Sequence, residues 1–122
     1  MDPVHVTGIT ADLTVPDLAA ARGFYTGYLG LSVEEFDLGW VARYRSPDGR
    51  AEIQLVTRDA TAPRNPVVSV KAGEGVDALY AEARRRGFEI VHPLTEEPWG
   101  PRRFFVRAPD GNILNIVSHQ ED

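Results

Sequence analysis

The chain has 122 residues, 13 of them basic and 18 acidic, a formal net charge of −5 and no cysteine. That length suits one ordinary domain, able to remove roughly two thirds of its unfolded surface from water without covalent staples. The missing cysteine excludes disulfides, thiolate metal sites and cysteine nucleophiles, while acidic charge with scattered arginines argues against a nucleic-acid partner.

Residues 8–15 alternate, with Ile9, Ala11, Leu13 and Val15 on one face and Thr10, Asp12 and Thr14 on the other, which predicts a strand. Asp17 is a good N-cap, Leu18, Ala21, Tyr25 and Tyr28 fall at helical spacing, and Gly30 is a stop, so a helix is expected over about 17–29. Residues 31–36 read as a strand, followed by a hairpin whose arms, 40–45 and 51–57, flank Ser46-Pro47-Asp48-Gly49. Residues 58–66, with two prolines, have linker chemistry.

The same order then repeats. Residues 67–71 read as a strand and Gly73-Glu74-Gly75 as a turn; Val76, Leu79, Tyr80 and Ala83 mark a helix face that stops at Gly87. Residues 88–91 form a strand and 92–99 an irregular connection, and a hairpin with arms 102–107 and 113–118 closes on Pro109-Asp110-Gly111. Arg84-Arg85-Arg86 is the solvated end of the helix, where cations suit the dipole. The helix stops lie 57 positions apart and the Pro-Asp-Gly turns 62, so the chain is read as one domain, 1–122, of two repeats, about 8–57 and 66–118. The fold class expected is α+β: two tandem βαβββ modules forming a cup-shaped mixed β-sheet with helices on the outer face. A hollow between pseudo-symmetric halves is where a small ligand would sit.

This order, with Thr14-Val15-Pro16-Asp17-Leu18, Phe24-Tyr25, Leu29-Gly30-Leu31, Val76-Asp77-Ala78-Leu79, Arg86-Gly87-Phe88, Pro98-Trp99-Gly100-Pro101-Arg102 and Pro109-Asp110-Gly111-Asn112, resembles the vicinal oxygen chelate superfamily of glyoxalases, bleomycin-resistance proteins and extradiol dioxygenases. The resemblance covers about residues 8–118 and is specific for the fold but not for a reaction. It implies four inward corners that carry a metal site in catalytic relatives. Counted from Asp17, Val76 and the two turn glycines, those corners are Thr10, Val68, Ile53 and Asn115. Such a set offers a hydroxyl and an amide but neither carboxylate nor imidazole, so no metal and no cofactor is expected. Asp12, Glu52 and Ser69 are neighbours of these corners. Each of His5, His92 and His119 is read as solvent-facing or locally bonded.

Without a metal the hollow becomes a binding pocket. Its expected ligand-binding residues are Thr10, Asp12, Trp40, Val68, Trp99, Arg102, Phe104 and Asn115. The two tryptophans open strands at the rims, where an indole stacks on a flat ligand or a cation. Arg102 and Phe104 are placed inward by resemblance to the family's Trp-Gly-x-Arg pattern. The function expected is metal-independent sequestration of a small aromatic or cationic molecule by a homodimer resembling bleomycin-resistance proteins. The alternative is a lyase, isomerase or dioxygenase of the same superfamily, using Asp12 or Glu52 as metal ligand or base with Arg102 on a developing oxyanion; a third reading is a structural or regulatory partner protein with an empty cup. No basic leader, apolar h-region or membrane-length run occurs, so a cytoplasmic protein without membrane partners is expected.

Overall fold

The computed structural model describes residues 6–119, so His5 lies outside the described residues. The elements run β1 (Gly8–Thr14), α1 (Leu18–Gly23), β2 (Val33–Asp37), β3 (Val41–Arg45), β4 (Glu52–Val56), β5 (Val68–Lys71), α2 (Val76–Arg85), β6 (Glu89–Glu96), β7 (Arg102–Arg107) and β8 (Ile113–Ser118). This is an α+β fold of two βαβββ modules. The described residues divide into two compact units, residues 10–60 and residues 61–119 with 6–9. No helix among the described residues is long and apolar enough to cross a membrane.

In the unit of residues 10–60 the strand order is β2-β3-β4-β1. β1 runs parallel to β4 with Asp12 opposite Gln54, and the other pairs are antiparallel. Asp17 caps α1 by accepting a hydrogen bond from the Ala20 N–H at 3.2 Å. The expected single helix over 17–29 is an α-helix only to Gly23; Phe24–Tyr28 continue as a π-turn. The apolar stripe of α1 then meets the sheet. Leu18, Ala21 and Tyr25 pack on Ala42, Tyr44, Ile53 and Leu55. Alternation therefore turns Arg43, Glu52 and Gln54 to the opposite, polar face.

In the other unit the order is β5-β8-β7-β6, with β5 parallel to β8 and Ser69 opposite Asn115. α2 lays Val76, Leu79, Tyr80 and Ala83 over Val70, Phe104 and Ile116, with the Tyr80 and Phe104 rings edge to face at 5.0 Å. The tract 92–99, expected to be irregular, is strand up to Glu96. β6 tolerates Pro93 because its ladder with β7 shifts register between Ile90 and His92 and again between His92 and Thr95. Both Pro-Asp-Gly turns form alike: the Asp48 carboxylate accepts the Arg50 N–H at 3.0 Å and the Asp110 carboxylate the Asn112 N–H at 2.9 Å. Gly49 and Gly111 take positive φ, 73° and 95°.

Candidate functional site

Each unit carries a polar sheet face opposite its helix. In residues 10–60 that face holds Thr10, Asp12, Arg43 and Gln54, all buried, with Glu52 partly buried beside them. Gln54 is held at both ends of its amide: Nε2 donates to Asp12 Oδ1 at 2.8 Å and Oε1 accepts from Arg43 Nε at 3.1 Å. A flipped amide would lose both bonds, so its orientation is determined. The Arg43 guanidinium lies 5.0 Å over the Phe36 ring, 3.7 Å from Glu35 and 4.0 Å from Glu52. Thr10 donates its hydroxyl to Glu52. A buried cation and its carboxylates thus offset one another within the face.

The polar face of the other unit is built on Arg103, Phe105 and Asn115. Arg103 is 4% exposed, and its Nε donates to Glu97 Oε2 at 2.6 Å and its second nitrogen to Thr61 Oγ1 at 2.9 Å. Its guanidinium is stacked by the Trp99 ring at 5.0 Å and the Phe105 ring at 4.7 Å. Glu97 Oε2 also takes the Thr61 hydroxyl at 2.7 Å and His92 Nε2 at 3.0 Å. Burial pushes the Glu97 carboxyl up, but the bonds from Thr61 and Arg103, the Arg103 charge and the His92 contact outweigh it and hold the group below its ordinary value. Beside this cluster Asn115 Nδ2 donates to Ser69 Oγ at 3.0 Å. The Asn115 carbonyl oxygen is buried and finds no hydrogen-bond partner among the described residues.

Several expected site residues lie elsewhere. Phe104 is in the core under α2, and Arg102 leaves the polar face altogether, reaching Asp77 of α2 at 2.7 Å. Both faces of that strand pair an arginine with a phenylalanine, and the register Phe105↔Asn115 selects Arg103 and Phe105 for the polar face. Val68 also faces α2, packed against the cluster of Val70 and Ile116, and Ser69 is the residue beside Asn115. Ile53 faces α1, which leaves Glu52 and Gln54 where Ile53 was expected. Thr10, Asp12 and Asn115 do lie on the polar faces of their units. Trp99 stacks on the chain's own Arg103, and Trp40, half-buried before β3, has its carbonyl bonded by the Thr57 N–H at 2.9 Å. His92 is buried and locally bonded, to Glu97 five residues on; His119 is half-buried. Arg103, Glu97 and Thr61 were not singled out from the sequence, because Thr61 and Glu97 meet across 36 positions. The doubled arginine after Trp-Gly-Pro was the one available signal.

A divalent metal does not fit these side chains. The carboxylates that do stand on a polar face, Asp12 and Glu52, already accept hydrogen bonds from Gln54 and Thr10, and Arg43 stands 4.0 Å from Glu52. Ser69 and Asn115 supply a hydroxyl and an amide. No group of three or more His, Asp or Glu side chains among the described residues is placed to share a cation.

The family model described as glyoxalase/bleomycin resistance protein/dioxygenase superfamily matches residues 3–116. No curated protein matches the chain. Among solved structures, one described as an NAD-dependent benzaldehyde dehydrogenase from Legionella pneumophila superposes with a TM-score of 0.74 at 19% identity, covering 93% of this chain and 100% of that one. A methylmalonyl-CoA epimerase from Mycobacterium tuberculosis gives 0.69 at 22%, covering 98% and 92%. A superfamily member from Vibrio splendidus gives 0.67 at 13%, covering 91% and 97%. At these identities the likeness is one of fold.

Proposed function

Because the chain belongs to the glyoxalase/bleomycin resistance protein/dioxygenase superfamily, we propose that it binds and sequesters a small aromatic or cationic molecule without a metal. The observation that carries this reading is the Asn115 carbonyl oxygen, buried with no donor. An unmet buried acceptor costs about 1–3 kcal/mol, a cost that a ligand N–H or ammonium would offset. The neighbouring Trp99, half-buried against Arg103, supplies a flat, rigid face of the kind that suits an aromatic body. The donor set favours binding without Lewis acid chemistry, since its hydroxyls, amides and committed carboxylates are poor metal ligands.

The test is a tryptophan-fluorescence titration with a panel of aromatic amines, run on protein dialysed against a chelator. Saturable quenching is expected without added metal, with the ligand recovered unchanged. Asn115→Leu should abolish that binding while leaving the melting temperature unchanged or higher, because it removes the unmet acceptor. Binding that appears only on adding manganese, iron, nickel or zinc would overturn the proposal.

A second reading is an enzyme of the superfamily, and the observation favouring it is that Asp12 and Glu52 share one sheet face. Arg102 drops out of that scheme, being paired with Asp77. A ligand converted to product at a rate lost in Glu52→Gln would support it. We also propose a homodimer, supported by the exposed Phe24 and Tyr28, 55% and 77%, with rings in contact at 5.1 Å on one surface. Sedimentation should find twice the chain's 13.5 kDa, and a monomer at every concentration would remove this part of the reading.

A further inference from the structure

On the helix side of residues 10–60, facing away from Asp12 and Gln54, lies a cavity of about 410 Å³. That size is within the range of small-molecule sites. Asp17, Leu18, Arg22, Asp37, Tyr44 and Thr57 line it. Two carboxylates on a cavity wall are not by themselves a site. Here, however, Tyr44 is only 1% exposed and lines the cavity, and its hydroxyl has no hydrogen-bond partner among the described residues. A deeply set phenol with no bond to its own chain's described residues is free to bond a molecule that enters the cavity.

The charge balance around the cavity selects the kind of partner. Arg22 stands 3.4 Å from Glu34, so its charge is offset. Asp17 and Asp37 each use one carboxylate oxygen locally, Oδ1 accepting the Ala20 N–H at 3.2 Å and the Gly39 N–H at 2.8 Å respectively. Each leaves its second oxygen without a hydrogen-bond partner among the described residues. Burial chiefly, countered by Arg22 and reinforced by Glu34 and Asp37, raises the Tyr44 hydroxyl above its ordinary value, so it stays a neutral phenol at physiological pH. The wall therefore presents an excess of two negative charges, a phenol oxygen able to accept, and the apolar Leu18 with the Tyr44 ring.

We propose that this cavity is a second binding site, independent of the polar faces, for a small organic ammonium ion whose N–H groups donate to Asp17, Asp37 and the Tyr44 hydroxyl while its apolar body lies on Leu18. A small anion on Arg22 is the rival occupant, disfavoured because Glu34 already holds that guanidinium.

Benzylamine is the probe, titrated calorimetrically at neutral pH, with benzyl alcohol and benzoate as neutral and anionic isosteres. Saturable one-to-one binding of benzylamine is expected, with neither isostere reaching saturation. Asp37→Asn keeps the acceptor for the Gly39 N–H and should weaken binding by about tenfold, the loss of one charge-assisted bond. Tyr44→Phe keeps the ring in the core and should weaken it about threefold or more. Asn115→Leu should change nothing, which separates this site from the one proposed above. Benzoate binding better than benzylamine, no saturation by benzylamine, or equal affinity in wild type, Asp37→Asn and Tyr44→Phe would each overturn the proposal. If either variant fails to fold, Asp17→Asn, which preserves the helix cap, and the isostere comparison on the wild type still decide.

Discussion

Glu97 shows how one oxygen atom can organise a region. Its Oε2 accepts from Thr61, Arg103 and His92, and Arg103 is buried between two aromatic rings around that contact. Removing the carboxylate charge takes from a buried guanidinium the counterion that stands 2.6 Å from it. Glu97→Gln should therefore cost about 3–5 kcal/mol at neutral pH, read as a fall in chemical-denaturation midpoint at constant slope. The pH dependence follows from the direction of the Glu97 shift. Its folded carboxyl lies below the ordinary 4.5, so its stabilising contribution is fully present above about pH 4.5 and is lost as pH falls through the lower folded value. The wild type should lose stability across that acid window, and Glu97→Gln should lose less; equal acid slopes in the two proteins would refute the assignment. Asn115 shows the opposite condition, a buried acceptor with no donor among the described residues, and the function proposed above assigns that acceptor to a ligand.

At the scale of elements, the two Pro-Asp-Gly turns are local devices that the chain uses twice. Each sets its hairpin through a carboxylate that accepts a backbone N–H two positions on, and each needs a glycine at positive φ. An alanine there meets the left-handed region, and at Gly49 its Cβ would also stand 3.0 Å from the Arg45 guanidinium, whose flexible end can move. Gly49→Ala and Gly111→Ala should each lower stability by about 1–3 kcal/mol, measured by thermal or denaturant unfolding. The helices work differently, since α1 and α2 are each anchored by one apolar stripe on the sheet of their own unit. Phe104→Ala should cost about 3–5 kcal/mol, because the ring fills the space between Tyr80 and the sheet under α2. A cost below about 1 kcal/mol would mean that Phe104 does not belong to that core.

For the molecule as a whole, stability should not depend on a divalent ion. Dialysis against a chelator is expected to leave the melting temperature unchanged, because no site for a structural metal can be assembled from the described His, Asp and Glu side chains. A drop that is reversed by adding one metal would contradict this. The sequence by itself determined the order βαβββ twice over, the helix stops, the paired turns and the polar character of Thr10, Asp12 and Asn115, because each of these follows from chemistry within a few residues of itself. Only the tertiary structure decided which face of each strand meets a helix. Alternation reveals that a strand has two faces, but on β7 both faces carry an arginine and a phenylalanine, and on β5 Val68 and Ser69 are adjacent and small. The choice fell to register, Ser69 against Asn115 and Phe105 against Asn115, and to the helix that needed Phe104 beneath it. The cluster of Thr61, His92, Glu97 and Arg103 was decided the same way, since charges that meet only after the chain has closed on itself leave no local pattern to read.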